Sequence, residues 1–348
     1  MKVQHIESGL GNQMLGYAEY LALKKMNPND KIYIENLIFD INECNEVICQ
    51  WNGYELERIF NLRLPNIKDC FEPTVWNQII SDIRDTFFWK RGWNYPVFFT
   101  EIFRKYDLIL DNMGVDFNKQ TQHSWKEKIY TYISKKTQNR SGYFIRKSLA
   151  QLSIKRYPKQ EYSGFHPANS KDCFYMQRLN FKNRGVSIDK IENELRNAFV
   201  FPELSSQKNI EIAARIKNGN SVAIHARRGD MLSINGECYQ YGYFKRAVKY
   251  IKKKVKNPQF YFFCDPKSVE WCKSNYSIFG LDSNFDDICF VDWNSGLDSY
   301  IDLQLMSMCK HNIITNSSFG WWGAFLNSYQ NKITISPYSW LNTTKTIF

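Results

Sequence analysis

Along the last third of the chain, short apolar runs alternate with stretches whose apolar residues recur at helical spacing. Ser221-Val-Ala-Ile-His225 and Gln259-Phe-Tyr-Phe-Phe-Cys264 read as strands, because β-branched and aromatic residues end abruptly at polar or proline positions. Ile288-Cys-Phe-Val291 and Asn312-Ile-Ile-Thr315 repeat the pattern. Between them, helices are predicted from about Tyr241, through Val269-Glu-Trp-Cys-Lys273, from Tyr300 to Cys309, and from Gly320-Trp-Trp-Gly-Ala-Phe-Leu326. This βα alternation predicts a parallel sheet covered on both faces, with any ligand beyond the carboxyl ends of its strands.

The first sixty residues carry a smaller version. A strand at Lys2 to Ile6, a turn at Glu7-Ser-Gly-Leu-Gly11, a helix through Tyr17 to Lys25 and a strand at Lys31 to Glu35 are expected. From about 65 to 200 the chain is aromatic and irregular, without clear periodicity. The turn-rich break Ile216-Lys-Asn-Gly-Asn220 divides the expectation into an N-terminal domain, 1–217, and a C-terminal domain, 218–348. The chain shows no internal repeat and no low-complexity tract.

Composition adds direction. With 348 residues, 43% of them hydrophobic, the chain can bury a large core. Its 16% aromatics, including ten Trp and 21 Tyr, suit a sugar or nucleotide site or a Phe- and Tyr-rich core. A net charge of +11 favours an anionic partner: nucleic acid, a membrane surface or a phosphorylated small molecule. Much of the excess lies between Lys245 and Lys256, where Phe244, Ala247, Val248, Ile251 and Val255 fall on one helical stripe and lysines fill the rest. That is a solvated basic face, with peripheral contact to lipid headgroups at the inner face of the plasma membrane as its alternative use. Nine scattered cysteines without a Cys-x-x-Cys pair, and no apolar run long enough for a leader or anchor, lead us to expect a cytoplasmic protein with reduced thiols.

Three short segments carry chemistry. His225-Ala-Arg-Arg-Gly-Asp230 follows the Ser221 strand, and its paired guanidinia match the oxygens of a diphosphate. Strand alternation places His225 and Arg227 on one side and Arg228 on the other. One arginine should face a ligand and its neighbour support the fold. The alternative is an ion pair of Arg228 with Asp230 that binds nothing. Asn316-Ser-Ser-Phe-Gly-Trp-Trp-Gly323 stands where a strand passes into a helix, whose unpaired N–H groups attract anions. Its alternative is a plain N-cap with the tryptophans packed inside. Gly9-Leu-Gly-Asn-Gln-Met14 resembles a phosphate turn, or only a tight turn. There is no Asp-x-Asp to clamp a metal on a sugar nucleotide, and the five histidines offer no metal spacing.

In this order, Gly-Leu-Gly-Asn-Gln, His-x-Arg-Arg-x-Asp and Asn-Ser-Ser-Phe-x-Trp-Trp-Gly-Ala resemble the α-1,2-fucosyltransferases of glycosyltransferase family 11. The likeness covers about residues 5–30 and 218–330, including Cys238-Tyr-Gln-Tyr-Gly-Tyr-Phe244 and the stretch Asp302 to Asn312; the middle third departs from it. The resemblance implies an α/β, GT-B-like fold of two facing Rossmann-type domains with the active site in the cleft between them. It implies inverting, metal-independent transfer of fucose from GDP-fucose to a galactoside glycan, with no cofactor.

By the same resemblance Arg227 would hold the β-phosphate, His225 would sit near the nucleoside, and Asn12 would approach the phosphate–fucose end from the opposite domain. These three are the expected catalytic residues. Asp302 would accept hydrogen bonds from guanine, and Ser317 and Ser318 would contact phosphate. Gly11, Arg228, Asp230, Asp265, Asn316 and Phe319 complete the expected donor site. Relatives often show Asp-Asp where this chain has Asp265-Pro266. Transfer of another GDP-linked sugar, or to a non-galactose acceptor, stays open. A basic nucleic-acid-binding protein is the alternative from another class, but it leaves the three ordered motifs unexplained. A sugar-binding protein without catalysis is the remaining rival.

Overall fold

The computed structural model describes residues 1–46, 52–90, 96–112, 171–176 and 188–337. Contacts divide the chain into two compact units, which interleave along the sequence. One is Met1–Ser8, Leu15–Gln50 and Arg63–Asn193; the other is Gly9–Met14, Trp51–Leu62 and Glu194–Phe348. The division at Asn193/Glu194 precedes the turn-rich break at 216–220, which instead joins a helix of the second unit to its first strand.

The first unit is built on a four-stranded parallel sheet of β1 (Lys2–His5), β2 (Ile32–Glu35), β3 (Asp111–Asn112) and β4 (Cys173–Tyr175), in the order β2-β1-β4-β3. Every residue of β1 is buried, so its polar side chains must find partners inside. Lys2 pairs with Asp30 at 2.7 Å, Gln4 donates to Glu19 at 3.0 Å, and His5 lies against Glu35 and Glu7. Helix α1 (Leu10–Met26) follows β1, and its first residues, through Met14, group with the second unit. The expected turn at 7–11 is therefore shorter than predicted. Gly9 supplies the carbonyl that accepts from Asn12 and Gln13, opening the helix there.

Two amphipathic helices that the sequence reading left as irregular chain pack in this unit. Pro73 fixes the start of α3 (Pro73–Asp85), which buries Trp76, Ile79 and Ile83. In α4 (Pro96–Lys105), Phe99, Ile102 and Phe103 join the same core as Phe174 of β4. More than half of the irregular stretch from about 65 to 200 falls on 91–95, 113–170 and 177–187, outside the described residues.

The second unit contains α2 (Glu55–Phe60), α5 (Glu192–Ala198, from Glu194 onward) and α6 (Gln207–Asn218), then the predicted alternation. Strands β5 (Ser221–Ala226), β6 (Gln259–Cys264), β7 (Asp287–Val291), β8 (His311–Ile313) and β9 (Thr334–Ile335) form a five-stranded parallel sheet in the order β7-β6-β5-β8-β9. Its helices are α7 (Leu232–Gln240), α8 (Tyr243–Lys254), α9 (Val269–Lys273), α10 (Tyr276–Phe279), α11 (Tyr300–Met308) and α12 (Ser318–Leu326). Val222, Ile224, Phe260 and Phe262 face a core with Phe244, Val248 and Ile251 of α8, while the intervening Ala223, Tyr261 and Phe263 are buried on the opposite face. As expected, the lysines of α8 are exposed. No helix among the described residues is long and apolar enough to cross a membrane.

The expected α/β class holds in each unit by itself, each carrying a parallel sheet. In the second, the chain steps outward from β5 through β6 to β7, then returns to the other side of β5 for β8 and β9. The strand order reverses between β5 and β8. That reversal splays the loops leaving the two strands and opens a crevice at their carboxyl ends.

Candidate active site

His225 is the penultimate residue of β5 and is buried, with its backbone carbonyl accepting from Thr315 Oγ1 at 3.2 Å. Its Nδ1 is buried without a hydrogen-bond partner among the described residues. Burial, reinforced by the positive charge of Arg227, pushes the imidazole down to about 3, so the ring is neutral at physiological pH. It packs against the first turn of α12 at a point where only glycine fits: a Cβ on Gly320 would stand 2.3 Å from His225 Nδ1.

Beyond β5 the two arginines separate, as strand alternation predicts. Arg227 pairs with Asp230 at 2.9 Å, its side chain 16% exposed against 47% for the aspartate. Arg228 lies over Trp271, 3.4 Å from the ring centre, with Tyr239 at 5.0 Å. The partner of Asp230 is thus Arg227, not the Arg228 of the ion-pair alternative, because Arg228 is turned onto the aromatic wall. Asp265, expected at the donor, accepts from the Arg228 backbone N–H at 3.2 Å and from Ser268 Oγ at 2.7 Å. Both oxygens hold the loop in shape.

On the other side of the reversal, β8 leads through Asn316 and Ser317 into α12. Ser317 is the N-cap residue, but its side chain makes no capping bond, so the N–H groups of the first turn point outward from the helix end. Asn316 Oδ1 is buried without a partner among the described residues. The Gly9-to-Met14 segment, in the same compact unit, packs on this helix end. Ser318 Oγ donates to Asn12 Oδ1 at 2.6 Å, and Trp322 Nε1 donates to the Gly11 carbonyl at 2.9 Å. A Cβ on Gly11 would stand 2.7 Å from the Phe319 amide nitrogen, so glycine is required by close approach. Asn12 therefore meets the second motif within one unit, not from an opposite domain as the resemblance implied.

A residue the sequence reading missed ties the two loops together. Asn235 of α7 is fully buried; its Nδ2 donates to the carbonyls of Arg227 at 3.2 Å and Asn316 at 3.3 Å, and its Oδ1 accepts from the Asn316 N–H at 3.0 Å. The available signal was its place on the buried stripe of Cys238 and Tyr239, three and four residues on. Asp302 stands apart, in the first turn of α11 beyond β7. It accepts from Asn294 Nδ2 at 2.8 Å, while burial pushes its carboxyl up to about 7.

The structure thus gathers His225, Arg227, Asn316, Ser317, Ser318, Phe319, Gly11 and Asn12 around the ends of β5 and β8, and sets Asp302 on the same edge of the sheet. It turns Arg228 and Asp265 toward the fold. A guanidinium, the positive end of a helix and a neutral imidazole suit an anion joined to a larger polar body.

Comparison with known proteins agrees on the lineage. An alpha-1,2-colitosyltransferase of Escherichia coli is 39% identical over 137 residues, covering 37% of this chain and 44% of the relative. A galactoside alpha-(1,2)-fucosyltransferase 1 of Plecturocebus brunneus is 24% identical over 148 residues, covering 39% of this chain and 38% of the relative. The matched stretches span less than half the length of these curated relatives. The crystal structure of NodZ alpha-1,6-fucosyltransferase with GDP is 13% identical, with a TM-score of 0.42 and coverage of 92% and 90% of the two chains. The model of Glycosyl transferase family 11 matches residues 123–346, which contain both strand-end motifs of the β5/β8 reversal. The chain that folds them around Asn235 belongs to glycosyl transferase family 11.

Proposed function

We propose that the chain transfers fucose from GDP-fucose to a sugar hydroxyl, the 2-OH of a terminal galactose, inverting the anomeric carbon and using no metal. The observation that carries this reading is the convergence of Arg227 and the uncapped first turn of α12 on one strand-order reversal. There the departing diphosphate would find a fixed cation and fixed dipoles, which stabilise developing charge without reorganising. Asp230 holds the Arg227 guanidinium in place before the donor arrives. His225, kept neutral beside Gly320, presents no second cation, and its ring walls the site near the nucleoside. Asp302 accepts hydrogen bonds from guanine. The acceptor oxygen attacks as the fucosyl–phosphate bond breaks, its proton passing to solvent or to a base on the acceptor side.

Support for fucose is family membership together with the fucosyltransferase relative. The colitosyltransferase relative supports a second reading, in which a different nucleotide-linked sugar is transferred through the same site. Release of GDP from GDP-fucose over a panel of galactosides, with and without EDTA, tests the proposal. Arg227→Ala should lose turnover by at least a hundredfold while melting like wild type, since removing a transition-state charge contact costs roughly 3 kcal/mol or more. An active Arg227→Ala protein sinks the assignment, and release that requires metal sinks its metal-free part.

A further inference from the structure

Behind Asp302 runs a line of side chains whose hydrogen-bond roles are set from one end. Trp293 has an indole N–H, which can only donate. It donates to Asn209 Oδ1 at 2.7 Å. Asn209 must therefore turn its Nδ2 the other way, and this donates to Asn294 Oδ1 at 2.9 Å. Asn294 in turn presents Nδ2 to Asp302 Oδ1 at 2.8 Å. Flipping either amide would bring two donors or two acceptors face to face. The line spans three elements: Asn209 is buried in the first turn of α6, Trp293 and Asn294 follow β7, and Asp302 opens α11. Lys208 braces its head, with Nζ 3.8 Å from the centre of the Trp293 ring.

We propose that Trp293, Asn209 and Asn294 are positioning residues, a one-way relay that holds Asp302 as a hydrogen-bond acceptor and thereby makes the site select guanine over adenine. The proposal rests on reading the site as one for a nucleoside-diphosphate sugar. Guanine presents N–H donors along its Watson–Crick edge, whereas adenine presents an acceptor at the matching ring nitrogen. Asp302 Oδ1 is occupied by Asn294, and its Oδ2 takes no hydrogen bond from any described residue. An ionised carboxylate rewards guanine there; a protonated one can donate to adenine.

The balance between the two forms is close. Burial drives the Asp302 carboxyl up to about 7, the Asn294 hydrogen bond opposes this, and Asp292 on the same loop adds to the rise. Cys264 at the end of β6 lies within electrostatic reach of it. The Asn294 bond is thus the contact that favours the ionised form of Asp302.

Calorimetric titration of the full chain with GDP and with ADP, from about pH 5.5 to about pH 8.5, tests the relay. Wild type should bind GDP in preference to ADP and lose GDP affinity as pH falls through the neutral range. Asn294→Leu should weaken GDP about tenfold at neutral pH, as expected for losing a hydrogen bond to a charged group. It should also move the pH midpoint of GDP binding upward and narrow the preference over ADP. Trp293→Phe, which keeps a ring on Lys208 but removes the directing N–H, should shift all three readouts the same way by about a third as much on a logarithmic scale. If both variants keep the wild-type midpoint and GDP/ADP ratio, the relay is wrong, whether or not overall affinity drops. A wild-type protein that does not bind GDP overturns the donor reading and the relay together.

Discussion

Gly320 shows how one missing side chain sets the state of another. With a Cβ at that position 2.3 Å from His225 Nδ1, Gly320→Ala must push the imidazole or the helix aside. Overpacking of this kind costs roughly 1–3 kcal/mol. Gly320→Ala should therefore lower the thermal midpoint, where Arg227→Ala leaves it unchanged; equal midpoints for Gly320→Ala and wild type would mean the ring does not rest on the helix. The residue types around the site were legible in the sequence, and strand alternation correctly set Arg227 and Arg228 on different sides. The state of His225 was not legible, because its neutrality follows first from burial, which only the folded structure shows, and then from the charge of Arg227. Nor was the partner of Asp230, since Arg228 was free to pair with it until Trp271 and Tyr239 gave it an aromatic wall.

Between elements, the crevice depends on keeping two loops at a fixed distance, and Asn235 does this from a third element. Asn235→Leu would remove all three of its hydrogen bonds, leaving the part-buried carbonyl of Arg227 and the buried carbonyl and N–H of Asn316 without them, at roughly 1–3 kcal/mol for each buried group left unpaired. We expect a lowered thermal midpoint together with weakened GDP binding, and a variant that melts lower but binds GDP at wild-type affinity would show the brace to be merely structural. The alternation of β5 to β8 with their helices was readable because each strand is a dense apolar run. Their spatial order was not, since periodicity says nothing of which strands are neighbours. Helix α7 escaped notice because Gly236 and Asn235 interrupt its stripe with a poor helix former and a polar residue. In α3 and α4 the inward positions are few and mix isoleucine with aromatic residues, and they merged into an irregular background. The Gly9–Gln13 segment was read as a turn because glycines suggest one, yet Gly9 opens a helix here.

Over the whole molecule, stability carries a pH signature from the first unit. Burial would lower the pKa of His5, but Glu35 and Glu7 outweigh it and raise the imidazole to about 9. The ordinary value is 6.5. A group raised on folding stabilises the protein fully below its unfolded pKa and loses that contribution as pH rises through the folded one. The thermal midpoint should therefore fall between about pH 6.5 and about pH 9, by a linkage on the order of 3 kcal/mol, and His5→Gln should flatten the curve. A wild-type midpoint that is level over this range would show that the buried carboxylates do not hold His5 charged. The interleaved division of the chain bears on a different kind of manipulation. Exchanging the stretch from Glu194 onward between family members would carry β5 to β9 and α12 into the recipient but leave Gly11 and Asn12 behind. The first turn of the transplanted helix would then rest on a foreign segment, and any residue larger than glycine at position 11 would bring a Cβ to 2.7 Å from the Phe319 amide nitrogen. A chimera meant to move this whole unit from one family member to another has to be cut in at least two places, and the smaller piece is the one near the start of the chain.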